Sequence, residues 1–275
     1  MELLFSLSLL VFGSFAEPVD LDLDIEGNIY VIDAGRDLVV KYSSKGDSLD
    51  VVGGFGTGIE EFDRPVAVYA RRGTDVYVAD YNNHRVQRFD RRLDYITTIY
   101  TRDDPDERTR FGYPLDVAVS RQGDVLILDG ENQHIVVFDA SGRFVRRFGD
   151  VASGAGALVN PSTLELDASD NVYVLDEGRI KAYDPFGTWL RFVPLPVGRT
   201  AQSFSVEESE MMILTDSLLL LYDLEQRTMV DTVQVEPDCK PTAIRHHTRL
   251  LYVIETDHVD VRKLRDSKIE LLQEN

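Results

Sequence analysis

Short apolar blocks recur along the chain, each closed by an acidic residue. Ile29 to Ile32, Val76 to Ala79, Val125 to Leu128 and Val172 to Leu175 are four-residue runs rich in β-branched and aliphatic side chains, followed by Asp33, Asp80, Asp129 and Asp176. Runs of that length and type predict strands buried on both faces. They share one frame. Pro18, Pro65, Pro114 and Pro161 each stand fifteen residues before their Asp. The same offset from Ala201 reaches Asp216, and from Pro241 it reaches Thr256, flanked by Glu255 and Asp257. No window sustains a helical period.

Each unit continues in the same way. An aromatic ends a third strand at Tyr42, Phe89 and Phe138, and after shorter turns at Tyr183 and Tyr222. A fourth strand follows, as in Ile96 to Tyr100, Phe144 to Phe148 and Met229 to Val235. Clusters such as Glu26-Gly27-Asn28 and Gln122-Gly123-Asp124 mark tight hairpins between strands. Six units of this size predict an all-β fold, a six-bladed β-propeller of four-stranded antiparallel blades, because each blade alone would expose apolar faces that radial packing buries. The last unit reads as complete, with strands over Leu251 to Ile254, His258 to Leu264 and Lys268 to Gln273.

The N-terminal sixteen residues stand outside this frame. Leu3 to Phe12 is an apolar run of signal-peptide length, followed by Ser14-Phe15-Ala16 with small residues for cleavage, although Glu2 stands where a basic residue is expected. A second reading is a strand that helps close the ring, because Leu9 to Gly13 followed by Pro18 resembles Phe144 to Gly149 followed by Pro161. Completeness of the last unit favours the leader. The expected organisation is therefore a signal peptide over 1–16 and one propeller over 17–275, periplasmic or secreted if the leader is cleaved and cytoplasmic otherwise. The run is too short to cross a bilayer, so no integral membrane span is expected in the mature chain.

The 275 residues are 43% hydrophobic, ample for a large core, and carry a formal net charge of −19. Such a surface repels phosphate backbones, which argues against a nucleic-acid partner. Cys239 is the sole cysteine, so no intrachain disulfide can form.

The stretch Arg64-Pro65-Val66-Ala67-Val68, continued by Val76-Tyr77-Val78-Ala79-Asp80-Tyr81-Asn82-Asn83-His84-Arg85-Val86-Gln87-Arg88-Phe89-Asp90, resembles an NHL repeat. Tyr113 to Gly149 is similar, and the first and fourth units moderately so. The fifth and sixth depart from the pattern: Ala201 replaces the entry proline, and both lose the Asn/Arg after the acidic position. The resemblance covers about residues 17 to 275 and implies a six-bladed propeller. It leaves function open, since the family includes scaffolds, nucleic-acid binders and a few lyases and lactonases.

Asp33, Asp80, Asp129, Asp176 and Asp216 would suit Ca²⁺ if they lined an axial channel, but a carboxylate repeating at strand ends is expected to accept backbone N–H groups of the following turn. Zinc would need three imidazoles on the axis, and His84, His134, His246, His247 and His258 do not supply them by position. Glu131, Asn132, Asn160, Asn171 and Asp216 offer the residue types of a lactonase site without its spacing. Arginines concentrate in units two and three, among them Arg71, Arg72, Arg85, Arg88, Arg108, Arg110, Arg146 and Arg147, interleaved with Asp103 to Glu107. The loops Thr101 to Arg110 and Gly149 to Leu158 are preferred places for specificity. The expected function is a non-catalytic scaffold that binds a protein or peptide in an extracytoplasmic assembly, with Tyr81, Asn82, His84, Arg85, Asn132 and His134 on the partner face and no cofactor. The alternative is a metal-dependent propeller enzyme of lactonase or lyase type, with Ca or Zn at the axis.

Overall fold

A computed structural model describes residues 9–235 and 241–264. Within them the chain forms six four-stranded antiparallel sheets and one short 3-10 helix, Val151–Gly156. Blades one to five each take four consecutive strands in sequence order. The first strands are Pro18–Leu23, Pro65–Tyr69, Pro114–Val119, Pro161–Leu166, Ser203–Glu207 and Ala243–His247. Each packs against its neighbour, and the last packs against the first, so these six strands surround the axis. The fold class is as the repeat predicts.

Burial falls outward along each blade. The second strands, such as Val125–Asp129 and Val172–Asp176, are buried throughout, whereas outer strands such as Thr228–Gln234 alternate with solvent. Apolar clusters fill the spaces between adjacent blades; Tyr30, Ile32, Phe62, Val78 and Phe89 form the one between blades one and two. The blade-to-blade contact is therefore the hydrophobic core itself.

Blade six is assembled from both ends of the chain. Its order is Leu10–Phe12, Val259–Lys263, Leu250–Ile254, Ala243–His247, with Leu10 opposite Val261 and Phe12 opposite Val259. The Phe12 ring lies 4.8 Å from that of Tyr42 in blade one, and Phe15 packs on the same tyrosine at 6.0 Å. Gly46 makes room for this: a Cβ there would stand 2.8 Å from the Cβ of Phe12, and its φ of +82° also disfavours a side chain. The fourth strand of the last blade thus comes from the N-terminal segment; the strand expected over 268–273 lies outside the described residues, as does Cys239. Cleavage after Ala16 would remove this strand. No helix among the described residues is long and apolar enough to cross a membrane.

The ring has two unlike faces. Inter-blade connections and the turns between second and third strands lie on one, called here the linker face. Hairpins joining first to second and third to fourth strands lie on the other, the hairpin face.

Candidate functional site

The repeated aspartates lie on the linker face and act as staples. Asp33 accepts the N–H groups of Ala16 and Glu17 at 2.9 to 3.1 Å. Asp80 accepts from Asp63 N, Asp129 from Gly112 N and Tyr113 N, and Asp176 from Val159 N and Asn160 N, all within 3.1 Å. The donors mostly belong to the connection entering the blade, sixteen or seventeen residues earlier, and not to the following turn. Glu131 N, which reaches Asp129 at 3.0 Å, is a donor from that turn. Each carboxylate therefore fixes where an inter-blade linker meets its own blade.

Asp216 stands apart. It is exposed and pairs with Arg199 at 2.7 Å, while Thr215 is buried in the stapling position and its Oγ1 accepts from Leu218 N at 3.0 Å. The reason is a shorter hairpin. Ser203 pairs with Leu214, eleven residues on, whereas Asp116 pairs with Leu128, twelve on. The fifteen-residue offset therefore overshoots by one in blade five.

Of the six residues expected on the partner face, two converge at the surface. Tyr81 stacks on Tyr113 with centroids 4.8 Å apart, and His84 meets the same ring at 4.6 Å. Arg102 lies over the other part of this cluster, 5.3 Å from the Tyr113 centroid. The remaining four bond within the chain, Arg85 and His134 buried and Asn82 and Asn132 exposed. Arg85 is buried, bonding to Asp80 Oδ2 at 2.8 Å and to the carbonyls of Thr57, Gly58 and Glu61, so it clamps the linker into blade two. Asn82 donates to Asp63 and Asn132 to Asp129. His134 is buried, with Nε2 3.5 Å from Asp129 Oδ2; burial lowers its pKa, against the opposing pull of Asp129.

Beside the tyrosine stack, at the seam between blades two and three, is a cavity of about 410 Å³ lined by Arg102, Arg110, Arg147, Glu107, Glu131 and His134, with Asn132 and Phe111 completing the wall. Three guanidinium groups face two carboxylates, and the Arg102–Glu131 and Arg110–Glu107 pairs are long, at 3.3 and 3.5 Å. Much of the remaining basic sector is ion-paired: Arg88 to Asp75, Arg91 to Glu26 and Arg108 to Asp106. Exposed apolar side chains stand on the connections of this face, notably Phe55, Ile59, Val151 and Val197.

The axis carries a second polar constellation that the repeat frame did not reveal. Asp20 Oδ2 accepts Val68 N at 2.9 Å, Asp22 Oδ2 accepts Ala70 N at 2.8 Å and Asp116 Oδ2 accepts Leu164 N at 2.7 Å. Ser203 and Ser205 receive Ile244 N and His246 N in the same manner. First strands of neighbouring blades splay too far apart to share a ladder, so side-chain oxygens of one satisfy N–H groups of the next. Two arginines sit among these acids. Arg71 reaches Asp22 at 3.0 Å and Glu165 at 2.7 Å; Arg245 bonds Glu165, Asp20 at 3.3 Å and the carbonyl of Leu21 at 2.9 Å. Three carboxylates, Asp20, Asp22 and Glu165, thus meet two guanidiniums. Burial pushes Asp20 and Glu165 each up to about 8 and raises Asp116, where the charge of Asp20 adds to the effect. Alternation at Asp20-Leu21-Asp22 and Thr163-Leu164-Glu165 is the signal in the sequence that could have found this cluster.

His84 and His134 lie on the linker face, His246 and His247 on the hairpin face. Among the described residues no three His, Cys, Asp or Glu side chains come together as a metal-binding set.

The NHL repeat profile matches residues 62–89 and 111–138, which span blades two and three from linker to third strand. The chain is a six-bladed β-propeller with NHL repeats in its second and third blades. Protein brain tumor of Drosophila melanogaster is 31% identical over 126 residues, covering 45% of this chain and 12% of that protein, so the shared region is a small part of the relative's length. Among solved structures, virginiamycin B lyase from Staphylococcus aureus superposes with a TM-score of 0.64 at 11% identity, over 90% of this chain and 81% of the lyase. A streptogramin B lyase gives 0.65 at 12%, over 90% and 80%. A catalytically inactive variant of the staphylococcal lyase with quinupristin gives 0.63 at 12%, over 91% and 81%. At that identity the likeness to the lyases is one of fold.

Proposed function

We propose that this NHL propeller is a non-catalytic binding module that holds an acidic segment of a protein partner on its linker face, at the seam of blades two and three. The observation that carries this reading is the cavity lined by Arg102, Arg110 and Arg147 next to the half-buried Tyr81–Tyr113 stack. A planar guanidinium suits carboxylate in two-point contact, and tyrosine offers a large contact area at low entropic cost. The apolar side chains Phe55 and Ile59 extend the surface along the neighbouring linker. An extended peptide could seat a carboxylate in the cavity and lay its apolar side chains across the stack.

The test is a fluorescence-anisotropy titration with a labelled peptide rich in Glu and containing one aromatic residue. The wild type and an Arg102→Ala/Arg147→Ala variant are compared. Removing two charge-assisted donors should weaken binding by about 2 kcal/mol, on the order of thirtyfold. Equal affinities, or retention of a single-stranded oligonucleotide in place of the peptide, would overturn the proposal.

A further inference from the structure

The connection entering blade two, residues 54–62, is an exposed acidic loop held in one shape. Phe55 and Ile59 stand 77% and 62% exposed on it. Glu60 is exposed as well, and its carboxylate has no partner among the described residues. The backbone beneath these side chains is fixed. Gly56 N donates to the carbonyl of Phe62, and Phe62 N to that of Gly54, both at 2.9 Å. Asn83 Nδ2 donates to the carbonyl of Gly56 at 2.8 Å, and Gln87 Oε1 accepts Glu60 N at 3.1 Å. Arg85 donates to the carbonyls of Thr57, Gly58 and Glu61. A free peptide loses entropy when it is ordered at a surface; this loop has already lost it on folding.

The loop carries the combination that suits the cavity at the seam of blades two and three, a carboxylate beside apolar side chains. It does not serve the cavity of its own chain. Phe62 anchors the loop in the core between blades one and two, one seam away, and the bonds to Asn83, Arg85 and Gln87 leave no slack to cross blade two. On the cavity wall Arg147 is the most loosely held guanidinium, with Asp150 at 3.8 Å and the carbonyl of Glu107 at 3.4 Å. With 48 acidic against 29 basic side chains, two copies of the chain repel one another over most of their surfaces. The seam, where three guanidiniums gather, attracts an acidic loop instead. Loop and cavity share the linker face, so a two-fold axis between them sets each against its counterpart in a second copy, and both contacts form together.

We infer that the linker face is a self-association surface, on which a second copy of this chain seats Glu60 on Arg147 and lays Phe55 and Ile59 across the Tyr81–Tyr113 stack, reciprocally, as a two-fold dimer. This rests on the binding reading of the seam and names its occupant. Two small contacts give an affinity of about micromolar strength, so excess Glu-rich peptide displaces the second copy.

Sedimentation velocity of the full chain, over a concentration series at physiological ionic strength, tests the inference. The wild type should pass from monomer to dimer as concentration rises. Glu60→Arg and Arg147→Glu each set like charges against one another in both contacts and should weaken the dimer on the order of a hundredfold. Both change exposed side chains, and circular dichroism checks that the fold is kept. An equimolar mixture of the two variants should recover a dimer of wild-type strength, because each contact in the mixed pair again joins opposite charges. Glu60→Arg keeps the cavity and should still bind the labelled Glu-rich peptide. A wild type that stays monomeric overturns the inference, and its binding of that peptide then leaves the seam reading standing; absence of both overturns the two together. A dimer unaffected by either substitution, or a mixture that stays monomeric, also overturns the inference.

Discussion

Arg71 of blade two donates to Glu165 of blade four across the axis, Nη1 to Oε2 at 2.7 Å. It also reaches Asp22 of blade one and the carbonyl of Val206 in blade five. One side chain therefore ties together four of the six blades. Arg71→Met should leave the buried Asp22 without its closest counter-charge and Glu165 without two of its donors, and cost about 3 kcal/mol, the lower range for breaking a buried pair. Urea unfolding followed by tryptophan fluorescence, which reports on Trp189, measures the shift in midpoint.

The surplus of carboxylates on the axis makes stability depend on pH with an unusual sign. Asp20 and Glu165 are pushed up to about 8, against about 3.9 and 4.3 in an unfolded chain. The folded state thus keeps protons that the unfolded state releases. This contribution is fully present below about pH 4 and is lost as pH rises through about 8. The clean window is pH 7 to 9, above the unfolded-state titration of His134 and His246, whose lowered pKa values act in the opposite direction at lower pH. There the unfolding free energy should fall with rising pH, by up to about 1.4 kcal/mol per unit for each retained proton, and the melting temperature with it. Asp20→Asn should flatten the profile, which differential scanning calorimetry will show.

Ring closure by the N-terminal segment gives a third prediction. Phe12 is buried against Tyr42 and its strand pairs with Val259–Lys263. Phe12→Ala should cost on the order of 3 kcal/mol, the usual loss for a buried phenylalanine. Deleting residues 1–16 should do more, because it removes the strand, Phe12, Phe15 and the Ala16 donor to Asp33 together. Circular dichroism melts of the two variants, compared with the full chain, check the order.

The staples separate by position. Asp129→Ala abandons four short hydrogen bonds, to Gly112, Tyr113, Glu131 and Asn132, and should destabilise by about 2 kcal/mol. Asp216→Ala touches an exposed ion pair and should stay within about 0.5 kcal/mol. Chemical denaturation of both variants makes the comparison directly.

That contrast also shows what the sequence could reveal. The proline and aspartate landmarks were legible because both ends of one strand pair recur: Pro65 lies opposite Asp80, and Pro114 opposite Asp129. Blade five drifted out of the frame because its hairpin is one residue shorter and a threonine hydroxyl replaces the carboxylate. Sequence alone places Arg85 on the surface because its carbonyl partners, at Thr57, Gly58 and Glu61, sit in a linker whose path no local pattern sets. The axial acids escaped because their partners are nearly 50 to more than 200 residues away, as with Asp20 and Arg245, and only ring geometry brings them together. The same holds for Arg102 and Tyr113, which meet only after the linker of blade three folds back.

The most direct test of the binding account is hydrogen–deuterium exchange of the propeller with and without saturating Glu-rich peptide. Protection should appear in residues 101–113 and 131–134, around the Arg102, Arg110 and Arg147 cavity, and leave the hairpins at 167–171 and 207–210 unchanged. Protection confined to the hairpin face, or none on the linker face at saturation, would contradict it.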